Sequence, residues 1–181
     1  MKKNILYAFI TLCLLITSCS KDEPDHVHEH ELITTMTVTL TPSEGSGTVT
    51  LQTQDLDGDG PNTPDVTVSG NLKSGVLYNA AIVLLNESES PAENVTMEIE
   101  EEGKEHQFFY SVGSGLDITT EYLDSDSDGN PLGIKFSLIA RSAGNGLLTF
   151  TLRHEPKKPN SGLEDAGGGT DLEASFNVTV E

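Results

Sequence analysis

Leu32 to Thr41 reads LITTMTVTLT, and Thr48 to Gln54 reads TVTLQTQ. In the first, apolar residues alternate with threonine, so that Met36, Val38 and Leu40 share one face. A period of two is that of a half-buried β-strand, and the second stretch repeats it. The intervening Pro42-Ser43-Glu44-Gly45-Ser46-Gly47 has the composition of a turn. The two stretches are therefore expected to form a hairpin.

Working outward, the same pattern recurs in DVTVSG from Asp65, VLYNAAIVLL from Val76, HQFFYSV from His106 and LDITTEYL from Leu116. It returns in GIKFSLIA from Gly133, LLTFTLRH from Leu147 and LEASFNVTV from Leu172. One segment differs. Ser90-Pro91-Ala92-Glu93 has the form of a capping box with proline at the first helical position, and Val95 and Ile99 stand one helical turn apart. Val95, Met97 and Ile99 also alternate as a strand would, but the cap and the run Glu100-Glu101-Glu102 favour a helix from Pro91 to about Glu102, ended by Gly103. About nine short strands and one short helix make an all-β chain. The expected architecture is an antiparallel β-sandwich of immunoglobulin-like type, with a closed β-barrel as the alternative. A long loop from Glu155 to Asp171, with two prolines and Gly167-Gly168-Gly169, precedes the last strand; a loop of that length is either mobile or used for binding.

Twice the chain runs strand, D-x-D-x-D-G, strand, short glycine-containing turn, strand: once around Asp55 to Gly60 and again around Asp124 to Gly129. The recurrence suggests two related halves.

The chain has 10 basic and 29 acidic residues, a formal charge of −19, and two of the basic residues are Lys2 and Lys3 at the start. Such an excess of negative charge repels phosphates and excludes nucleic acid as a partner. It suits a cation-binding surface or a protein kept soluble at a crowded cell surface. Of the two cysteines, Cys13 lies in the apolar run Ile5 to Ile16, and only Cys19 follows it. The rest of the chain has no thiol, so neither a disulfide nor a thiolate metal ligand is available to the folded part. It also has no tryptophan, which disfavours a carbohydrate-stacking platform.

The basic start and the short apolar run have the form of a secretion signal over residues 1–18, too short to span a membrane comfortably. Its end, Ile16-Thr17-Ser18-Cys19, resembles the lipobox of bacterial lipoproteins. That resemblance implies removal of residues 1–18, lipidation (palmitate among the acyl groups) at Cys19, and attachment to the membrane through the lipid. Ser20-Lys21-Asp22-Glu23 resembles the export signal of Bacteroidota surface lipoproteins, which implies a place on the exterior face of the outer membrane; the competing reading is the solvated start of a tether. The remaining chain is similar to small flavobacterial lipoproteins that carry a DGDG-type loop, an LLNES segment and an EEEGxEHQ stretch, here Leu84 to Ser88 and Glu100 to Gln107. Residues 19–31 are then a lipidated tether, and residues 32–181 a single domain.

Within the tether, Asp25 to Glu31 reads DHVHEHE. In an extended chain His26, His28 and His30 point to one side, and Asp25, Glu29 and Glu31 add oxygen ligands. Neutral imidazole is the commonest nitrogen ligand for Zn²⁺ and Cu²⁺, so the tether is a candidate for capturing either. Ordering it on an ion would cost about 1–2 kcal/mol per residue; an inert polar tether is the competing reading.

The D-x-D-x-D-G loops are the strongest chemical signal in the folded part. Alternate carboxylates followed by a glycine wrap oxygens around a hard cation, and Ca²⁺ takes six to eight of them. Asp124, Asp126 and Asp128, with a carbonyl near Asn130, are the candidate calcium ligands of the second loop, and Asp55, Asp57 and Asp59 those of the first. Both resemble the calcium loop of EF-hands and of dockerin- and thrombospondin-type repeats over six positions only. The twelfth position, a bidentate glutamate in EF-hands, is Val66 or Lys135 here, so completion needs a carboxylate from elsewhere, such as Asp65 or Glu121. Asp and Gly are also simply what tight turns prefer.

Enzyme signatures are missing: there is no G-x-S-x-G, no H-E-x-x-H and no glycine loop followed by lysine. His106 and His154 fall at expected strand ends, where a histidine is more often a surface or satisfied residue than a general base. The expectation is a non-enzymatic surface lipoprotein with calcium-stiffened loops, a binding accessory that captures Zn²⁺ or Cu²⁺ beside a TonB-dependent outer-membrane transporter. A structural or adhesive module of the cell envelope is the alternative, with a glycan-active enzyme behind it.

Overall fold

The computed structural model describes residues 31–45, 47–57, 60–88 and 90–181. They form two antiparallel sheets packed face to face, with no closed barrel among them. The chain runs β1 (Thr35–Pro42), β2 (Val49–Gln54), β3 (Asp65–Val68), β4 (Val76–Leu85), α1 (Val95–Glu101), β5 (His106–Val112), β6 (Ile118–Tyr122), β7 (Lys135–Ala140), β8 (Gly144–His154), α2 (Leu163–Ala166) and β9 (Gly169–Val180). The larger sheet has the order β3-β2-β1-β4-β7-β6, and the smaller has β5-β8-β9.

The alternation that marks each strand also sets its inner face. β1 buries Met36, Val38 and Leu40, and places Val38 between Leu51 of β2 and Ile82 of β4. The β1–β2 hairpin forms as its sequence leads one to expect. From the opposite sheet Leu148, Phe150 and Leu152 of β8 and Phe176, Val178 and Val180 of β9 face the same core. Phe150 sits at its centre, with ring centroids 5.7 Å from Tyr110, 5.9 Å from Phe136 and 5.9 Å from Phe176. Offset and edge-on aromatic packing of this kind adds to the burial each ring already contributes.

Each Asp-rich loop joins an antiparallel hairpin, β2–β3 in one case and β6–β7 in the other. The third strands part company. β4 stays in the larger sheet between β1 and β7, whereas β8 crosses to the smaller one. The helix is shorter than its sequence suggests, starting at Val95 rather than Pro91. The reason is that the Glu93 backbone exchanges hydrogen bonds with Asn86, N to O at 3.0 Å and 3.1 Å, so the last residue of the capping box belongs to a β-bridge. Thr96 then ties the helix to β4 by accepting from the Leu84 amide at 2.7 Å.

Gly133 marks a close approach. Its φ is 93°, and a Cβ there would lie 2.8 Å from Tyr110 Oη and 2.9 Å from Phe108 Cβ and Tyr122 Cε1. It lets the run into β7 pass against β5 at the edge of the core.

Phe150→Ala is expected to cost about 3–5 kcal/mol, because it removes an aromatic ring from the contact point of three others. Urea-induced unfolding checks this; a loss below about 1 kcal/mol would mean that the ring is not central to the packing.

Candidate metal centre

β5 and β8 pair so that His106 lies opposite His154, Phe108 opposite Leu152 and Tyr110 opposite Phe150. All six belong to the column that faces the other sheet. Where the apolar part of that column ends, the next inward pair is the two histidines. Their rings stack with centroids 4.9 Å apart and planes 15° from parallel. Both side chains are buried, with 0% and 8% of their surface exposed.

Two carboxylates meet them. Asp171 comes from β9 at an irregularity in its pairing with β8: Leu152 pairs with Leu172 but Arg153 with Thr170, leaving Asp171 as the extra residue. A bulge of this kind re-aims a side chain, and here it coincides with an Asp171 carboxylate that is fully buried. Gly168, with φ 73°, makes the approach possible, because a Cβ at that position would collide with the carbonyl oxygen of His154. Glu31 comes from the segment that leads into β1, in the other sheet, and its side chain is 10% exposed.

One potential ligand atom from each of Glu31, His106, His154 and Asp171 lies within 4.8 Å of the other three. Glu31 Oε1 is 3.0 Å from His106 Nε2; Asp171 Oδ2 is 3.7 Å from the same nitrogen, and Asp171 Oδ1 is 3.8 Å from His154 Nδ1. The last two are too long for hydrogen bonds. They are close to the spacing of ligands around zinc: four atoms at 2.0–2.2 Å in a tetrahedron stand roughly 3.3–3.6 Å apart.

His106 is prepared for that role. Its Nδ1 lies 3.3 Å from the carbonyl oxygen of Glu102, a contact made only if Nδ1 carries the proton. In the neutral ring this leaves the Nε2 lone pair directed at Glu31 and Asp171. A carbonyl behind a histidine is the usual arrangement for a metal ligand. His106 Nε2 and Glu31 Oε2 are both buried and make no hydrogen bond. Buried carboxylates need compensating positive charge or hydrogen bonds. A divalent ion would neutralise both and could take both imidazoles, a set of two nitrogens and two oxygens among the described residues that suits Zn²⁺ and its neighbours. The set has too few oxygens for Ca²⁺ and no thiolate for Cu⁺.

The Asp-rich loops are built differently. Asp126 Oδ1 accepts from the amides of Asp128 and Asn130, both at 2.9 Å, and Oδ2 accepts from Lys158 Nζ at 3.2 Å. The same ammonium donates to the Gly103 carbonyl at 2.6 Å. Asp124 accepts from the Gly133 amide at 2.6 Å and the Lys135 amide at 2.8 Å, while Asp128 forms an exposed pair with Lys104. The carboxylates of the second loop thus hold the turn together and serve two lysines. In the first loop Asp57 accepts from the Asn62 amide at 3.3 Å and from its side chain at 2.6 Å, and Asp55 Oδ1 is buried without a hydrogen bond. Among the described residues neither loop assembles three ligands within reach of one ion as the histidine centre does. Asp59, His26, His28, His30 and Cys19 lie outside the described residues.

His106 and His154 are correctly placed at strand ends, but they are buried partners and not surface residues. The signal that identifies them was present: HQFFYSV and LLTFTLRH are both strands, and aligning their apolar columns antiparallel sets one histidine against the other. Asp171 had a weaker signal, the glycine run before the last strand. Glu31 is named by the sequence as an oxygen ligand, and among the described residues the imidazoles grouped with it are His106 and His154.

Protein-family models, curated proteins and solved structures were compared with the chain, and none matches it.

Burial pushes the Asp126 carboxyl upward, but the Asn130 amides, the Asp128 amide and Lys158 outweigh it and hold it below the usual range. A depressed folded value contributes stability that is complete above the unfolded value, near pH 4, and is lost as pH falls through the folded value. Asp126→Asn should therefore flatten the dependence of unfolding free energy on pH below about 4, as followed by urea titration at several pH values. A variant with the wild-type acid slope would contradict this.

Proposed function

We propose that this chain is a surface-anchored metal-binding lipoprotein whose β-sandwich holds one divalent transition ion of the zinc class at Glu31, His106, His154 and Asp171. The observation that carries the proposal is His106, whose Nδ1 faces the Glu102 carbonyl while its buried Nε2 faces two carboxylates. Four protein ligands among the described residues favour holding an ion over catalysis, because catalytic zinc keeps a position open. The signal over residues 1–18 and the lipobox ending at Cys19 support anchoring by lipid. Ser20 to Glu23 supports export to the outer-membrane surface.

In this reading His26, His28 and His30 raise the local concentration of ligands immediately ahead of Glu31, and Zn²⁺ or Cu²⁺ gathered there is the supply. A TonB-dependent transporter is the class of partner that would use a surface accessory of this kind. Calcium at the first Asp loop, where Asp55 Oδ1 is buried without a hydrogen bond, would stiffen the hairpin it joins.

A second reading, a structural module of the envelope, is favoured by one feature. Glu31 leads into the larger sheet and the other three ligands come from the smaller one, so an ion there would fasten the two sheets together.

Calorimetric titration of the mature chain, with Cys19→Ser in place of the lipid, should show one tight equivalent of Zn²⁺ that His106→Ala and Asp171→Asn abolish. His26, His28 and His30 changed together to alanine should remove only weaker binding. At a free Zn²⁺ concentration 100 times Kd the fold should gain about 2.7 kcal/mol. Tight binding that survives His106→Ala would refute the assignment. If chelation unfolds the protein, the structural reading is preferred; if it strips the ion from an intact fold, the capture reading is.

A further inference from the structure

The buried centre has an exposed neighbour. Glu105 precedes His106 at the start of β5, and Glu155 follows His154 at the end of β8. The Glu155 amide donates to the Glu105 carbonyl at 2.6 Å, so the β5–β8 ladder continues one step past the histidines. Glu105, His154 and Glu155 each offer a ligand atom within 4.8 Å of the others; both glutamates are exposed and the histidine is buried. Two potential ligand groups thus share one imidazole, one group being open to solvent and the other sealed.

An ion with ordered water around it does not enter a buried four-ligand site in one step. Its waters have to be replaced in sequence, and a partial ligand set at the surface lowers the cost of each replacement. Resting on the assignment of the inner centre, we propose that Glu105, His154 and Glu155 form an outer loading site, from which the divalent ion passes to the inner centre of Glu31, His106, His154 and Asp171. The two exposed carboxylates attract a hydrated cation and shed part of its shell. His154 belongs to both groups, so the two sites adjoin and the ion has a short path between them. No bond other than metal–ligand bonds is made or broken, and no redox partner is required.

A passage affects entry and exit equally, whereas an electrostatic field at the surface acts mainly on entry. Stopped-flow loading of the mature chain with Zn²⁺ and release to a chromophoric chelator measure the two rates. Glu105→Gln with Glu155→Gln should leave one tight equivalent while slowing loading and release by the same factor, so that the equilibrium affinity is unchanged. A control pair, Glu44→Gln with Glu164→Gln, removes the same charge from exposed positions elsewhere and should leave release unchanged. Wild-type rates in the Glu105 and Glu155 variant would overturn the passage. So would slowing of entry alone, matched by the control pair and abolished by salt. Failure of the wild-type chain to retain any Zn²⁺ overturns the inner centre and the passage with it, and is distinguishable because no tight equivalent appears.

Discussion

The register of β5 against β8 is the constraint on which the rest depends. Side chains on a strand alternate between faces, so slipping β5 by one residue against β8 would turn Gln107 and Phe109 toward the larger sheet and carry His106, Phe108 and Tyr110 off it. The core cannot accept that exchange, and the aromatic packing around Phe150 therefore fixes the histidine pair as firmly as it fixes itself. His106 and His154 are the last step of an apolar column whose energy comes from elsewhere. Their preorganisation is a by-product of a well-packed sandwich, and the bulge at Asp171 adds the one local irregularity needed to bring a carboxylate in.

Two groups of acidic residues in this chain illustrate how context decides chemistry. Asp124 and Asp126 face amides and ammonium groups, which donate, so their lone pairs are used within the protein. Glu31 and Asp171 face imidazole nitrogens, and one of those rings turns its other nitrogen to the Glu102 carbonyl, so that in its neutral form the lone pairs of both partners converge. The sequence motif is louder in the first case and the convergence is closer in the second. Lys158 deepens the contrast. Burial lowers its ammonium below the ordinary lysine range, against the pull of Asp126 and Asp124, and its side chain, 5% exposed, supplies positive charge beside the Asp126 carboxylate.

Much of the fold is legible because period-two patterning is local. The β1–β2 hairpin, the all-β class and the positions of most strands follow from Met36, Val38, Leu40 and their equivalents. The helix start was misplaced because Ser90 to Glu93 satisfies a capping rule that the Asn86–Glu93 bridge overrides. The centre was hidden for a different reason. Its ligands stand at positions 31, 106, 154 and 171, and no local pattern states which strands pair or where a bulge falls. The stretch expected as a loop from Glu155 to Asp171 holds the short helix α2 and the start of β9; it brings Lys158 to Asp126, and its β9 end brings Asp171 to the histidines, and length alone does not indicate which of its residues matter.

The most direct measurement is X-ray absorption at the zinc edge on the Zn²⁺-loaded mature chain carrying alanine at His26, His28 and His30, so that only the folded part contributes. Four light neighbours at about 2.0–2.2 Å, with the multiple-scattering signature of two imidazoles that falls to one in His106→Ala, is the result expected here. A six-coordinate oxygen shell without imidazole, or no retained zinc at all, would contradict the account.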